Sequence, residues 1–203
     1  MSLPYTNRTG KTYFLYQGVT RTGKPRYYFS GQKKAEAEQI STIPEGFEIY
    51  ERPENGQVFL RKAIPGLITE SEQQYIVSAL AALKESFRYL MDCHQQYATV
   101  FESSAGDTAR EMKEAGWLGN LKPDYMEKMV RNSRFMPVLR FELVDDTKRQ
   151  FHAQRFCFLG SIEDWISLKG SGDLSALASQ YIPLLGTDAF YEVPGDQANK
   201  ELS

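Results

Sequence analysis

Among the first 35 residues stand Arg8, Lys11, Arg21, Lys24, Arg26, Lys33 and Lys34 with no acidic residue, interleaved with Tyr13, Phe14, Tyr16, Tyr27, Tyr28 and Phe29. Cations neutralise phosphates and release counterions, and aromatic faces stack on unpaired bases, so this mixture suits nucleic acid. Strands alternate faces, so some of these aromatics must build a core, and basic residues along an edge also discourage strand pairing. The set that would touch nucleic acid is Arg21, Lys24, Arg26, Tyr28, Lys33 and Lys34.

Two further groups invite a catalytic reading. Glu142, Asp145 and Asp146, followed by Lys148 and Arg149, are residue types with which a metal-dependent hydrolase or nuclease clamps phosphate oxygens. An Asp pair opening a loop is also what turn chemistry alone produces, because Asp hydrogen-bonds its own backbone there. His94, beside Asp92 and Cys93, has the side chain most often used as a metal ligand. A helical metal site needs partners three or four residues away, and those positions hold Leu90, Met91, Tyr97 and Ala98. His94 is therefore expected as a satisfied histidine in or beside the core, with convergence on His152 and Cys157 left open. The two cysteines, Cys93 and Cys157, lack C-x-x-C spacing and read as free thiols. No glycine-rich phosphate loop, G-x-S-x-G elbow or H-E-x-x-H is present. No catalytic residue, metal or cofactor is assigned, and the chain leans away from enzymes.

The elements that would position these groups follow from periodicity. Residues 11–19 and 26–30 read as a β-hairpin, 32–40 as a short helix, and 47–51 and 57–62 as strands joined through Asn55-Gly56. The longest helical rhythm runs over 69–101, with Ile76, Leu80, Leu83, Phe87, Leu90, His94, Tyr97 and Phe101 on one face. Thr69 and Glu72 form a capping box at its start. Short helices are expected from Asp107 or Thr108 to Gly116 and over 123–132. Strands follow at 137–144, with Leu139, Phe141 and Leu143 inward, and at 151–158. A helix capped by Ser161 is expected to bury Trp165, and a last helix starts after Asp173 and is disrupted by Pro183. The expected fold class is α+β: a small antiparallel β-unit followed by a long central helix, further short helices and a second β-hairpin. The expected division is 1–66, basic and aromatic-rich, and 67–203, built on the helix 69–101 and the strand pair 137–158.

With 203 residues, 41% hydrophobic and 25% charged, the composition is that of a globular chain. The longest nearly uncharged apolar run, 75–83, is far short of the roughly 20 residues of a membrane span. The first residues lack an apolar signal region, so the cytoplasm is the expected location. A net charge of −2 conceals asymmetry: ten Lys or Arg against six Glu leave 1–66 at +4, and the remainder at −6. The expected partners are another protein or a second copy of the chain, with nucleic acid as the alternative, and no membrane.

Two resemblances add to this. The order strand, Gly-Lys turn, strand and KKAEAEQ segment over 13–40 resembles the arm-binding domains of phage-type integrases, in which a three-stranded sheet followed by a helix lies against DNA. No recombinase set of Arg, His and Tyr motifs follows. The words GKPRYYFS, IPEGFEIYE, GQVFLRK and GSIEDWI resemble a group of uncharacterised bacterial proteins. That resemblance implies a bacterial origin and no particular mechanism. The leading expectation is a non-catalytic bacterial protein that acts by macromolecular interaction.

Overall fold

The computed structural model describes residues 3–32, 34, 37–116, 124–159 and 162–193. Among the described residues strand exceeds helix, 41% to 26%, and is arranged in three antiparallel sheets. This overturns the expected α+β frame with its long central helix. The sheets, not a helix, are the framework.

The N-terminal sheet is built on β2 (Thr12–Val19), which pairs with β1 (Pro4–Thr6), β3 (Pro25–Ser30) and β4 (Glu38–Gln39). Gly23, at φ 79°, turns the β2–β3 hairpin, a backbone geometry that a residue with a Cβ adopts only under strain. β4 corrects the expected helix over 32–40, part of which (33, 35 and 36) lies outside the described residues. The register sets two faces. Leu15, Tyr13, Tyr27, Phe29 and Tyr5 share the inner one, where Tyr5 donates to Glu51 (3.1 Å) and Tyr27 meets Phe47 edge-on. Phe14, Tyr16, Tyr28 and Arg26 share the outer one.

The second sheet is the hairpin of β5 (Phe47–Glu51) and β6 (Val58–Lys62), at the positions expected. Its loop is fastened by Asn7, which is buried and donates to the Gly56 carbonyl at 2.6 Å. A side chain at Gly56 would be strained: φ is 69°, and a Cβ would lie 2.7 Å from the Arg8 guanidinium and push it aside. Arg8 pairs with Glu51 (3.5 Å), donates to the Ser133 carbonyl (3.3 Å) and lies 5.0 Å over the Phe135 ring. One arginine thus docks the N-terminal sheets on the rest of the chain.

Helix α1 (Glu70–Ala81) begins with the expected capping box: the Glu72 N–H donates to the Thr69 hydroxyl, and the Thr69 N–H to the Glu72 carboxylate. It ends twenty residues early. A 3-10 turn at Ser86–Arg88 leads into β7 (Tyr89–His94) and β8 (Tyr97–Ser103), a hairpin where a helix was expected. Tyr97, Thr99, Val100 and Phe101 are strand formers, and the period of two in Tyr89, Met91 and Cys93 prevails over the coincident helical period. Gln95 makes the reversal at φ 51°. Buried Arg88 pairs with Glu85 (3.1 Å) and Glu102 (2.7 Å), tying the start of β7 to β8.

After α2 (Gly106–Glu114) and α3 (Tyr125–Asn132) come β9 (Phe135–Asp145), β10 (Gln150–Leu159) and β11 (Ile162–Gly172). They complete a five-stranded sheet in the order β11-β10-β9-β8-β7. β11 replaces the helix expected after Ser161, which lies outside the described residues, and Trp165 is half-buried, not buried. One face carries Ala98, Val100, Leu139, Phe141, Leu143, Phe151, Ala153 and Leu168 into the main core. That face is covered by α1, by α4 (Leu174–Tyr181) with its Asp173 cap, and by α5 (Asp188–Glu192), which contributes Phe190. A smaller cluster of Phe101, Val130 and Phe135 lets α3 cover one end of the opposite face. No helix among the described residues is long and apolar enough to cross a membrane.

Candidate functional site

The outer face of the N-terminal sheet and the tip of its β2–β3 hairpin carry four of the six residues singled out from sequence. Arg21 and Lys24 sit at the exposed tip of the β2–β3 hairpin, Arg26 and Tyr28 follow on β3, and Lys34 is exposed beyond it; Lys33 lies outside the described residues. Tyr28 is half-buried and stacks on buried Tyr16, ring centroids 5.9 Å apart and planes at 23°. Gly18 stands opposite Arg26, so no side chain there covers the Tyr28 ring, and the Arg26 guanidinium lies 5.7 Å from its centroid. Among the described residues none of Arg21, Lys24, Arg26 and Lys34 has an ion-pair partner. The carboxylate of this sheet, Glu38, pairs with Gln17 and so belongs to the inner row.

The acidic group does not assemble as a catalytic site. Asp145 accepts from the Lys148 N–H (2.9 Å) in the β9–β10 turn, and Asp146 pairs with Arg149. Arg149 also donates to Glu72 at 3.0 Å, clamping the turn to the start of α1. Glu142 points elsewhere, accepting from Tyr97 (3.3 Å) and Gln154 (3.1 Å). Among the described residues no three His, Cys, Asp or Glu side chains gather where they could hold a metal. His94, expected in or beside the core, is exposed at the end of β7 and lies outside the core. The register His94–Tyr97–Glu142–His152 places both histidines in one row, three strand spacings or about 14 Å apart. Cys157, opposite Asp164 and five residues beyond His152, faces the other side.

Two features escaped the sequence reading. On the open face of the five-stranded sheet, Arg140 lies 4.5 Å over Tyr97 and 4.2 Å over Trp165 and donates to Gln154 at 2.7 Å. Gln154 and Tyr97 both bond Glu142, which closes the network. Beside it, on the edge strand, half-buried Asp92 accepts from Tyr50 at 3.3 Å. Burial holds its carboxyl above the ordinary value, against the Arg61 charge.

The other feature is a break in the sheet. The β9–β10 ladder ends at Leu139 opposite Arg155, yet β9 continues back to Phe135 on β8 and β10 continues to Leu159 on β11. Pro137 supplies no N–H for pairing, and Arg155 is drawn to α5 by bonds to the carbonyls of Phe190 (2.7 Å) and Val193 (3.2 Å). Where the strands part, two cavities of about 510 and 500 Å³ share Ser104, Met136, Pro137, Phe156 and Phe158. The first adds Arg155, Cys157 and Tyr191 on the helix-covered side; the second adds Phe135, Arg134 and Glu54 on the other. A proline inside an alternating strand, with Phe156 and Phe158 on the polar side of β10, was the available signal.

No family model, curated protein or solved structure matches the chain. The site therefore rests on its own geometry.

Proposed function

We propose that the chain acts by binding a macromolecule and not by catalysis, and that its partner is single-stranded nucleic acid on the outer face and tip of the N-terminal sheet. The observation that carries this reading is the group of exposed cations, Arg21 and Lys24 at the hairpin tip and Arg26 on β3, that have no ion-pair partner among the described residues, together with the backed ring of Tyr28. An anionic backbone supplies the missing counter-charge, and a ring face suits unpaired bases better than a closed duplex. From the resemblance to bacterial proteins we further propose a bacterial origin, and from the first residues' lack of an apolar signal region a cytoplasmic setting.

The test is fluorescence anisotropy with a labelled oligothymidylate. Three phosphate contacts give a salt slope near −2, so affinity should fall about 20-fold between about 50 and about 200 mM salt. Arg21→Glu, Lys24→Glu and Arg26→Glu combined should abolish binding, and Tyr28→Leu should weaken it at least about fivefold without affecting heparin. No binding at low salt, or equal competition by polyglutamate, would reject nucleic acid as the partner.

A further inference from the structure

We propose a second binding site, independent of the N-terminal surface: the parting of β9 and β10 receives an extended peptide segment of a protein partner, which pairs with the free edge of β10. The main-chain groups make the first argument. Among the described residues, 156–159 pair with β11 on one side only, and 136–137 with β8 on one side only; the Phe135 N–H is already taken by the Glu54 carbonyl of the β5–β6 loop (3.1 Å), so it is the edge of β10 that is left without a ladder. Unpaired edges within a sheet attract another strand, and main-chain bonds of this kind give affinity in peptide recognition. The free stretch of β10 is about 13 Å long, enough for four peptide residues.

The cavities make the second argument, and they point to a strand in particular. Successive side chains of a strand leave on opposite sides, and here one cavity opens on each side of the sheet along a common seam. A peptide lying in the seam would send alternate side chains into the cavity with Cys157 and Tyr191 and into the cavity with Phe135 and Arg134. A helix would fill one side only. The rim sets the chemistry of those side chains: Met136, Phe158 and Tyr191 are 42%, 59% and 61% exposed, an apolar concentration of the kind that marks interaction surfaces. The partner's alternate residues are therefore apolar.

A phage-displayed random dodecapeptide library panned on the full chain tests this, with the selected peptide resynthesised and titrated by anisotropy. The selected peptides should carry apolar residues at alternate positions. Phe158→Glu, and separately Met136→Glu, should weaken binding at least about tenfold, and methylation of alternate peptide nitrogens should do the same by removing ladder donors. Both residues are exposed, so the variants should keep the parent thermal midpoint, and oligothymidylate binding should be unchanged in both. The proposal is overturned if no peptides are enriched, if the selected ones ignore both variants, or if backbone methylation is harmless, which would leave an apolar pocket for side chains alone. It is also overturned in favour of a second copy if the parent sediments as a dimer and Phe158→Glu as a monomer.

Discussion

The molecule contains two surfaces where arginine lies against aromatic rings, and they differ in what surrounds the charge. On the open face of the five-stranded sheet, Arg140 is held between Tyr97 and Trp165 and bonded through Gln154 to Glu142, which also takes the Tyr97 hydroxyl. On the N-terminal sheet, Arg26 lies against Tyr28 with no carboxylate in its row among the described residues. The first arrangement answers its own charge and stabilises the fold. The second leaves the charge to be answered from outside. Composition alone does not separate an arginine whose charge is answered within the fold from one whose charge is not; the position of the nearest acid does.

The widest contrast between them should be in stability. Arg140→Ala removes a charged hydrogen bond and two ring contacts and leaves the Gln154 side-chain oxygen without its donor on a half-buried face. It should cost about 2–3 kcal/mol in urea unfolding. Arg26→Ala should change stability by less than about 0.5 kcal/mol, as exposed substitutions generally do. Equal costs would erase the distinction. The reciprocal experiment sharpens it: Arg26→Ala should weaken oligothymidylate binding about three- to tenfold, and Arg140→Lys should leave it unchanged, since only the former charge is free to meet a phosphate.

A further test lies where the two sheets meet. Burial, with the charges of Asp92 and Glu54, pushes the Tyr50 phenol up to about 12. A raised value means that the folded chain keeps the proton more firmly. The contribution is complete below the unfolded-chain value near 10 and is lost as the pH rises through about 12. The alkaline limb of a thermal-midpoint profile should therefore be shallower in Tyr50→Phe, which no longer loses this contribution between about pH 10 and about 12. An unchanged limb would mean that Tyr50 does not hold the hairpin to β7.

The sequence announced the local signals whose physics is local. The β2–β3 and β5–β6 hairpins, the Thr69 cap, the inward residues Leu139, Phe141 and Leu143, and the Asp173 cap all stand where turn, cap or alternation placed them. What failed was the choice between periods. Over 83–101 apolar residues fit both a helix and a hairpin, and the deciding event is the reversal at Gln95-Gln96, which contains no glycine, asparagine or proline to signal it. The segment after Ser161 failed for a tertiary reason: β10 pairs on its outer side with 162–172, and helix formers such as Glu163 and Leu168 are recruited into that strand. The exposed cations Arg21, Lys24 and Arg26 were legible because a charge without a nearby acid shows in the sequence. The parting of β9 and β10 was not, because it depends on where one ladder ends between two strands that were themselves correctly located.

The smallest expected effect concerns a pair of carboxylates with opposite environments. Burial alone would raise the Glu72 carboxyl, but hydrogen bonds from Arg149 and Thr69 outweigh it and hold it below the ordinary range; Asp92 is held above that range by burial. For Glu72 the lowered value makes its contribution complete above about pH 4.3 and lost as the pH falls through the folded value. For Asp92 the sign reverses, and stability is lost as the pH rises through its folded value. Thr69→Ala should cost about 1 kcal/mol at neutral pH through the lost cap. Glu72→Gln should in addition flatten the acid limb of the stability profile, whereas Asp92→Asn should steepen it. If both substitutions moved the limb the same way, the clamp between α1 and the β9–β10 turn would not be what holds Glu72 ionised.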